Sequence, residues 1–396
     1  MLKTDNIYVE VFHSQIKKHG QAAGGDVFLS EKPARGRRTI CVLADGLGSG
    51  VKANVLATMT STMALKYVKS DIDVKKASEI IMRTLPVCSR RKVGYSTFTI
   101  VDISGGGKVS IIEYDNPSYI LLRGDNPAKA EKTAFEIEAA GLGKRKLEYS
   151  SFEAREGDRM IFFSDGVTQS GMGSRVRPLG WGFEGAADFV AARCKAGKEL
   201  TAQGLAEDIV ERAEKNDGLK AKDDITCAVI NFRRPRRLLV MTGPPYDNKM
   251  DSDLALKADA FEGRKIICGG TTAKIIAREL DRDVEVDLNQ IYSDVPPASK
   301  LKGFDLVTEG TITLSKTMKL LSGSAELKRL AKDAAVRLAS MLLESDIIEF
   351  VVGTKINEAH QDPKLPDELA IRRNLIRELV ELLNKRYLKE AEYRLI

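Results

Sequence analysis

Four aspartates stand where an apolar run begins or ends. Asp26 follows Gly24-Gly25 and opens the run Asp26–Ser30, and Asp45 opens Asp45-Gly46-Leu47-Gly48-Ser49-Gly50 directly after Thr39–Ala44. Asp165 opens Asp165-Gly166 after Arg159–Ser164, and Asp223-Asp224 precedes Ile225–Phe232. The end of a strand holds a carboxylate rigidly, and a glycine beside it lets a backbone carbonyl approach a cation. Carboxylate, carbonyl and water oxygens suit magnesium or manganese rather than zinc. Several carboxylates gathered in one cleft repel one another unless a cation keeps them ionised. Taken singly, each Asp-Gly is also an ordinary turn, and Asp223-Asp224 is equally a solvated turn or a helix cap. The ordered set of all four is what points to metal chemistry.

The elements that must position these residues fall in residues 1–232. Short β-runs are expected at Ile7–His13, Asp26–Ser30 and Thr39–Ala44, with a turn at Pro33–Arg38. Val55, Met59, Met63 and Tyr67 recur at helical spacing, which predicts a helix over Lys52–Val68, and a second is expected at Asp73–Thr84. Further strands are predicted at Ser96–Ile103, Val109–Tyr114, Ser118–Leu122, Arg159–Ser164 and Ile225–Phe232, with helices over Gly182–Cys194 and Ala202–Lys215. Arg233-Arg234-Pro235-Arg236-Arg237 then interrupts the pattern and reads as a solvated basic linker, residues 233–237.

Residues 238–396 have a different texture. Apolar runs end in glycine at Leu238–Thr242, Lys265–Cys268, Asp305–Thr308 and Ile347–Val352, with helical patterns at Thr271–Leu280 and Ser324–Leu343. This alternation predicts a smaller α/β domain with a parallel or mixed sheet. Gly269-Gly270-Thr271-Thr272 leads into a helix and offers backbone N–H groups and hydroxyls to an anion, or simply makes a tight turn with a capping threonine. No Gly-Lys-Ser/Thr follows, so it is not a P-loop. Asp367–Tyr393 reads as a long amphipathic helix whose stripe serves either to cover the domain's own core or to pair with a second copy as a homodimer. The expected role of this domain is regulatory or dimerising.

Composition narrows the field. The 396 residues are 43% apolar and 30% charged, ordinary globular usage, and the length predicts two or three domains. Basic residues (62) are interspersed with acidic ones (56), so the net +6 gives little support to nucleic-acid binding. Cys41, Cys88, Cys194, Cys227 and Cys268 are dispersed and odd in number, which argues against a disulfide framework or a zinc ribbon, and His13, His19 and His360 form no cluster with them. No run is long and apolar enough to span a bilayer, and Met1–Asn6 is polar. A cytoplasmic protein with no membrane segment is the expectation.

Read together, the motifs resemble the SpoIIE-like branch of the metal-dependent protein phosphatases, the superfamily that includes the type 2C enzymes. The resemblance is carried by Gly24–Phe28, Ala44–Gly50, Asn116–Arg123, Gly157–Thr168 and Asp223–Thr226, in family order, and the stretch Gly157-Asp158-Arg159 to Ser164-Asp165-Gly166-Val167-Thr168 is its most specific part. It implies an α+β fold, two packed antiparallel sheets flanked by helices in an αββα sandwich, followed by the smaller α/β domain. It also implies a pair of Mn2+ or Mg2+ ions. By the resemblance Asp45 would bridge both, with the Gly46 carbonyl and Asp26 on one side and Asp165 and Asp223 on the other. Asp224 stands where many relatives have asparagine and is the weaker ligand.

The implied activity is hydrolysis of phosphoserine or phosphothreonine on a partner protein, such as an anti-sigma-factor antagonist in bacterial signalling, by a metal-activated water. Asp45 and Asp165 would be catalytic through that water. This sequence departs from the pattern where Ser49 and Leu47 replace a histidine found in many relatives, and where Gln169 replaces a common glutamate. Two alternatives stand beside this reading: a non-catalytic scaffold with the phosphatase fold, and a ligand-sensing second domain that regulates the first.

Overall fold

A computed structural model describes residues 7–32, 38–84, 96–139, 143–197, 200–286, 295–323, 333–355 and 365–396. The expected turn at 33–37, the first nine residues of the helix expected at Ser324–Leu343, and Cys88 and His360 lie outside the described residues. The chain divides into two compact units, Met1–Arg234 and Pro235–Ile396.

The first unit opens with β1 (Tyr8–Ile16), β2 (Asp26–Glu31) and β3 (Thr39–Gly46), then α1 (Val51–Lys69) and α2 (Val74–Thr84). Next come β4 (Ser96–Ile103), β5 (Lys108–Tyr114), β6 (Ile120–Arg123), β7 (Asn126–Ala128), β8 (Lys132–Ala139), β9 (Gly143–Glu153) and β10 (Asp158–Phe163). The single turn α3 (Asp165–Thr168), α4 (Gly182–Ala196), α5 (Ala202–Asn216) and β11 (Ile225–Arg233) complete it. A six-stranded sheet runs β2-β3-β4-β5-β9-β8 and a five-stranded sheet runs β1-β11-β10-β6-β7, with antiparallel pairing throughout.

Alternation along the strands decides the layers. Cys41, Leu43, Val101 and Ile111 of the larger sheet meet Leu121, Met160, Phe162, Ile230 and Phe232 of the smaller one in a core between the sheets. The opposite faces carry the intervening residues. Ile40, Val42, Ala44 and Ile100 pack on Ala57, Ala64, Ala77 and Ile81 of α1 and α2. Ile161, Phe163, Cys227 and Val229 pack on Val190, Leu205, Ile209 and Val210 of α4 and α5. The unit is therefore an αββα sandwich. Its thiols Cys41, Cys194 and Cys227 are free and buried.

The second unit contains β12 (Arg237–Thr242), α6 (Asp251–Asp259), β13 (Arg264–Cys268), α7 (Gly270–Glu279), β14 (Val284–Val286), β15 (Ser299–Leu301) and β16 (Leu306–Thr308). It continues with α8 (Thr311–Ser322), α9 (Ala334–Glu344), β17 (Ile347–Val352), α10 (Leu365–Tyr387) and β18 (Glu390–Leu395). Five strands lie parallel in the order β16-β13-β12-β17-β18, with β14 and β15 antiparallel at one edge. Leu239, Met241 and Ile267 face α6 and α7, whereas Leu238, Val240, Ile348 and Phe350 face α8, α9 and α10. Helices thus cover both faces of the sheet, as parallel sheets require.

Two sequence expectations are corrected. Arg233 and Arg237 are strand residues, so only Arg234, Pro235 and Arg236 connect the units. The terminal helix stops at Tyr387 instead of running to Tyr393, and the rest becomes β18 beside β17. Leu388 takes a left-handed φ of 51°, and the Lys389 N–H donates to the Leu383 carbonyl at 3.0 Å, closing the helix six residues back. The apolar stripe of α10 (Ile376, Leu379, Leu383) lies in the unit's own core.

Candidate active site

The sheet register sets the first pair of acids. Asp26 opens β2 and Asp45 stands near the end of β3, and they are direct cross-strand partners. Their side chains therefore share one face at close range. Asp26 is buried; its Oδ2 accepts from Thr226 Oγ1 at 2.7 Å, while its Oδ1 has no partner. Thr226 lies on β11 of the other sheet, and its N–H donates to Ser164 Oγ at 3.1 Å at the end of β10. The site is thus built where one edge of the two sheets meets.

Repulsion dominates this cluster. Burial, then the charges of Asp224 and Asp165, pushes the Asp26 carboxyl up to about 7 against the hydrogen bonds that favour its charged form. Asp45 is pushed further, to about 9, by burial first and then by Asp26, Asp165 and Asp223. Asp165 is raised by burial and by Asp223, although Gln169 Nε2 donates to its Oδ2 at 2.7 Å. Asp45 therefore feels the charge of Asp26, Asp165 and Asp223, whichever sheet carries them.

The glycines that follow two of the acids are required by packing. A Cβ on Gly46 would stand 2.0 Å from the Ala53 carbonyl oxygen of α1, and a Cβ on Gly166 would stand 2.0 Å from the Asp224 carbonyl oxygen. Asp-Gly here allows a helix and a strand end to approach a backbone closely. Asp165 is the first residue of α3, so this Asp-Gly opens a helical turn and not the ordinary turn such a pair also makes.

The aspartate pair divides its work. Asp224 is buried; its Oδ1 accepts the Lys18 N–H at 3.0 Å and its Oδ2 accepts the Gly25 N–H at 2.7 Å. Both oxygens of this carboxylate hold backbone amides of the segment that leads to Asp26. The Asp223 side chain is 42% exposed, lies 3.8 Å from Lys18 Nζ, and accepts the Asp224 N–H at 3.0 Å.

A cleft of about 550 Å³ opens beside Asp165, lined by Asn116, Pro117, Ser118, Thr168, Gln169 and Phe183. The first residues of the Asn116–Arg123 motif form a wall of this cleft. Asn116 is fixed between Thr97 and Thr99, receiving a hydrogen bond from the Thr97 hydroxyl and donating to Thr99 Oγ1 at 3.0 Å. Thr168 ends the motif that carries Asp165, whereas no local signal marks Phe183, at the start of α4, as a wall residue. His13 stacks on Phe28 at 4.5 Å, with its pKa lowered by burial, and Ser49 and Leu47 supply no imidazole.

The carboxylates suit a hard divalent ion in one specific respect: a buried Asp26 oxygen has no donor, and Asp45 is held among three other acids. Among the described residues no three His, Cys, Asp or Glu side chains converge as a ready-made cage. Magnesium and its relatives take one or two carboxylates and keep several waters, so this donor set fits such ions and not zinc. Asp26, Asp45, Asp165 and Asp223, with the Gly46 carbonyl, are the groups available to hold them.

Comparison with known proteins bears on the first unit. The family model of stage II sporulation protein E (SpoIIE) matches residues 35–233. Stage II sporulation protein E of Bacillus subtilis (strain 168) is 23% identical over 238 residues, which are 59% of this chain and 27% of that relative. The chain thus spans about a quarter of the length of that curated relative. Among solved structures, the phosphatase domain and part of the regulatory domain of SpoIIE from Bacillus subtilis aligns with 21% identity and a TM-score of 0.48, covering 58% of this chain and 64% of that one. The RsbU and RsbW domains of a Mycobacterium tuberculosis protein align with 19% identity and a TM-score of 0.46, covering 64% and 68%. The family match covers half of the chain and includes Asp45, Gly46, Asp165 and Asp223. The chain belongs to the SpoIIE family.

Proposed function

We propose that the first unit is a metal-dependent protein serine/threonine phosphatase, and that Asp26, Asp45, Asp165 and Asp223 with the Gly46 carbonyl hold two divalent ions, Mn2+ or Mg2+. The observation that carries this is the concentration of mutually repelling carboxylates at the meeting edge of two sheets, beside an open cleft. Bound ions of this kind would supply an activated water and would offset charge on phosphoryl oxygens. The chain's own contribution is positional. Thr226 and Gln169 orient Asp26 and Asp165, Asp224 fixes the backbone ahead of Asp26, and Asn116 stiffens the cleft wall.

Asn116, Ser118, Thr168, Gln169 and the exposed ring of Phe183 line the approach beside Asp115 and Asp165, whose charge bound metal ions would offset for a phosphorylated side chain presented on a protein surface. We take the substrate to be phosphoserine or phosphothreonine on a signalling partner of the anti-sigma-factor-antagonist kind. With no histidine at Leu47 or Ser49, the leaving alkoxide takes its proton from water.

One observation favours the rival reading of a non-catalytic scaffold: no three acids form a ready cage among the described residues. Hydrolysis of para-nitrophenyl phosphate and of a phosphoserine peptide separates the two, measured with manganese, with magnesium and with chelator. The phosphatase reading expects turnover with metal that chelator and Asp45→Ala each abolish. No turnover under any condition refutes it in favour of the scaffold.

A further inference from the structure

The sheet of the second unit reverses its winding at one point. Its parallel strands run, in space, third, second, first, fourth and fifth in chain order, so the winding reverses between β12 and β17. Sheets of this kind bind ligands outside the carboxyl ends of their strands, near that reversal. Here β12 ends at Gly243, β13 at Gly269-Gly270 and β16 just before Gly310.

Two helices begin at those ends without a side-chain cap. α7 starts after Gly269 and α8 after Gly310, and neither N-terminus receives a side-chain acceptor. Each leaves backbone N–H groups unsatisfied, with a partial positive charge. The two starts converge: a Cβ on Gly310 would lie 3.8 Å from the Gly269 Cα, and the Gly269 N–H donates to the Thr308 carbonyl at 2.8 Å. Thr271 is exposed and Gly269, Gly270 and Gly310 are half-buried, so the convergence is open to solvent.

The independent observation is a set of unused hydroxyls. Thr242 at the end of β12, Thr272 in the first turn of α7 and Thr313 in the first turn of α8 are each fully buried, and each hydroxyl lacks a partner. Leaving a buried polar group unmade costs about 1–3 kcal/mol, so three at one edge of a sheet require an explanation. Thr272 Oγ1 is turned towards the loop: it lies 3.5 Å from the Cβ position of Gly269, a position 3.9 Å from the Gly243 nitrogen. Any side chain at Gly269, where φ is 142°, would be strained and would stand beside that hydroxyl.

We propose that this convergence binds the phosphate of a small phosphorylated molecule, held by the first-turn amides of α7 and α8 and by the Thr272 hydroxyl. A cleft of about 240 Å³, lined in part by Thr271, Arg278, Asn248 and Lys355, lies beside α7 and receives the rest of the molecule. Arg278 is paired with the buried Asp251, itself a lining residue, and with Glu279, and Lys355 Nζ donates to Asn248 Oδ1, so the cations of the cleft are held in place by their own partners. Glu309 opposes the anion, with Oε1 3.5 Å from the Cβ position of Gly270, and it is exposed.

The test uses the full chain stripped of metal with chelator, so that the first unit recruits no phosphate. Inorganic phosphate, pyrophosphate and ADP are titrated, and amide hydrogen exchange is followed by mass spectrometry. The expected result is saturable slowing of exchange over residues 269–273 and 311–314. Thr272→Val should weaken binding about tenfold or more, the worth of one hydrogen bond to a charged group. That variant removes an unpaired buried hydroxyl, so its ligand-free melting should be unchanged or higher. Glu309→Gln should tighten binding about threefold by removing a nearby negative charge. ADP binding more tightly than pyrophosphate identifies a nucleotide, whereas equal binding identifies the phosphate group alone; either supports the proposal. Absence of saturable protection up to about 10 mM, the range of the weakest specific sites, overturns it. So does Thr272→Val binding as tightly as the native chain.

Discussion

Replacing Asp45 by asparagine should make the metal-free protein more stable while removing its activity. The Asp45 carboxyl is pushed up to about 9 from an ordinary 3.8, by burial and by Asp26, Asp165 and Asp223. Near neutral pH the unfolded chain has released a proton that the folded chain keeps. That difference weakens the fold by about 1.4 kcal/mol for each pH unit above the ordinary value, or at most about 4–5 kcal/mol near pH 7. Asp26 shares the same repulsion, and an asparagine amide at this site is still buried, so the substitution should return about 1–3 kcal/mol. The sign follows from the direction of the shift. The stability associated with Asp45 is fully present below pH 3.8 and is lost as pH rises towards 9. The advantage of the variant should therefore be small near pH 4 and grow through pH 8. Urea unfolding in chelator measures it, followed by the fluorescence of Trp181, the single tryptophan, which lies in the first unit. Adding manganese should reverse the order, because an ion held at about 100 times its Kd stabilises the native chain by about 2.7 kcal/mol. A variant less stable than the native chain near pH 8, or an advantage independent of pH, would mean that the Asp45 carboxyl is not raised in the folded chain.

Three further outcomes follow from the same geometry. Gly166→Ala should destabilise the first unit by about 2–4 kcal/mol in urea unfolding, because its Cβ would stand 2.0 Å from the Asp224 carbonyl oxygen; an unchanged midpoint would mean that the strand ends are not packed as described. Asp224→Asn should cost about 1–3 kcal/mol of stability, since one amide oxygen cannot serve both the Lys18 and Gly25 N–H groups, yet it should retain more activity than Asp45→Asn. Equal loss of turnover in those two variants would make Asp224 part of the metal set. Manganese binding near pH 7 should release protons, because Asp26 and Asp45 are raised to about 7 and about 9, and calorimetry in buffers of different ionisation heat should show it; binding without proton release would contradict the shifts.

The parts of the fold legible in the sequence are those with local causes. The apolar run Thr39–Ala44 is buried on both faces because it lies between helix and sheet cores, and it reads as a strand without ambiguity. The same holds for the glycines that close β12, β13 and β17, which mark an α/β unit before any pairing is known. Other elements give no such signal. α6 (Asp-Ser-Asp-Leu-Ala-Leu-Lys-Ala-Asp) carries too few apolar residues to show a stripe, and β8, at the edge of its sheet, and its neighbour β9 mix charge into their alternation. The end of α10 was hidden because Leu388 adopts the left-handed conformation that glycine usually signals.

At the site, the identity of the four acids is visible in sequence, but their partners are not. Asp224 clamps amides 199 and 206 residues away, and Thr226 reaches Asp26 across 200 residues. Such roles exist only once the two sheets have packed. The strain is likewise invisible locally: Asp-Gly looks like a turn until the Ala53 and Asp224 carbonyls occupy the space a side chain would need.

If the acids at these strand ends hold a pair of metal ions, a manganese titration of the metal-stripped full chain shows it, with free ion counted by electron paramagnetic resonance for the native protein and for Asp45→Ala. Two ions bound per native chain, with the pair lost in Asp45→Ala, is the predicted result. A native chain that leaves all the manganese free at millimolar concentration, or an Asp45→Ala chain that binds two ions as the native one does, would contradict it.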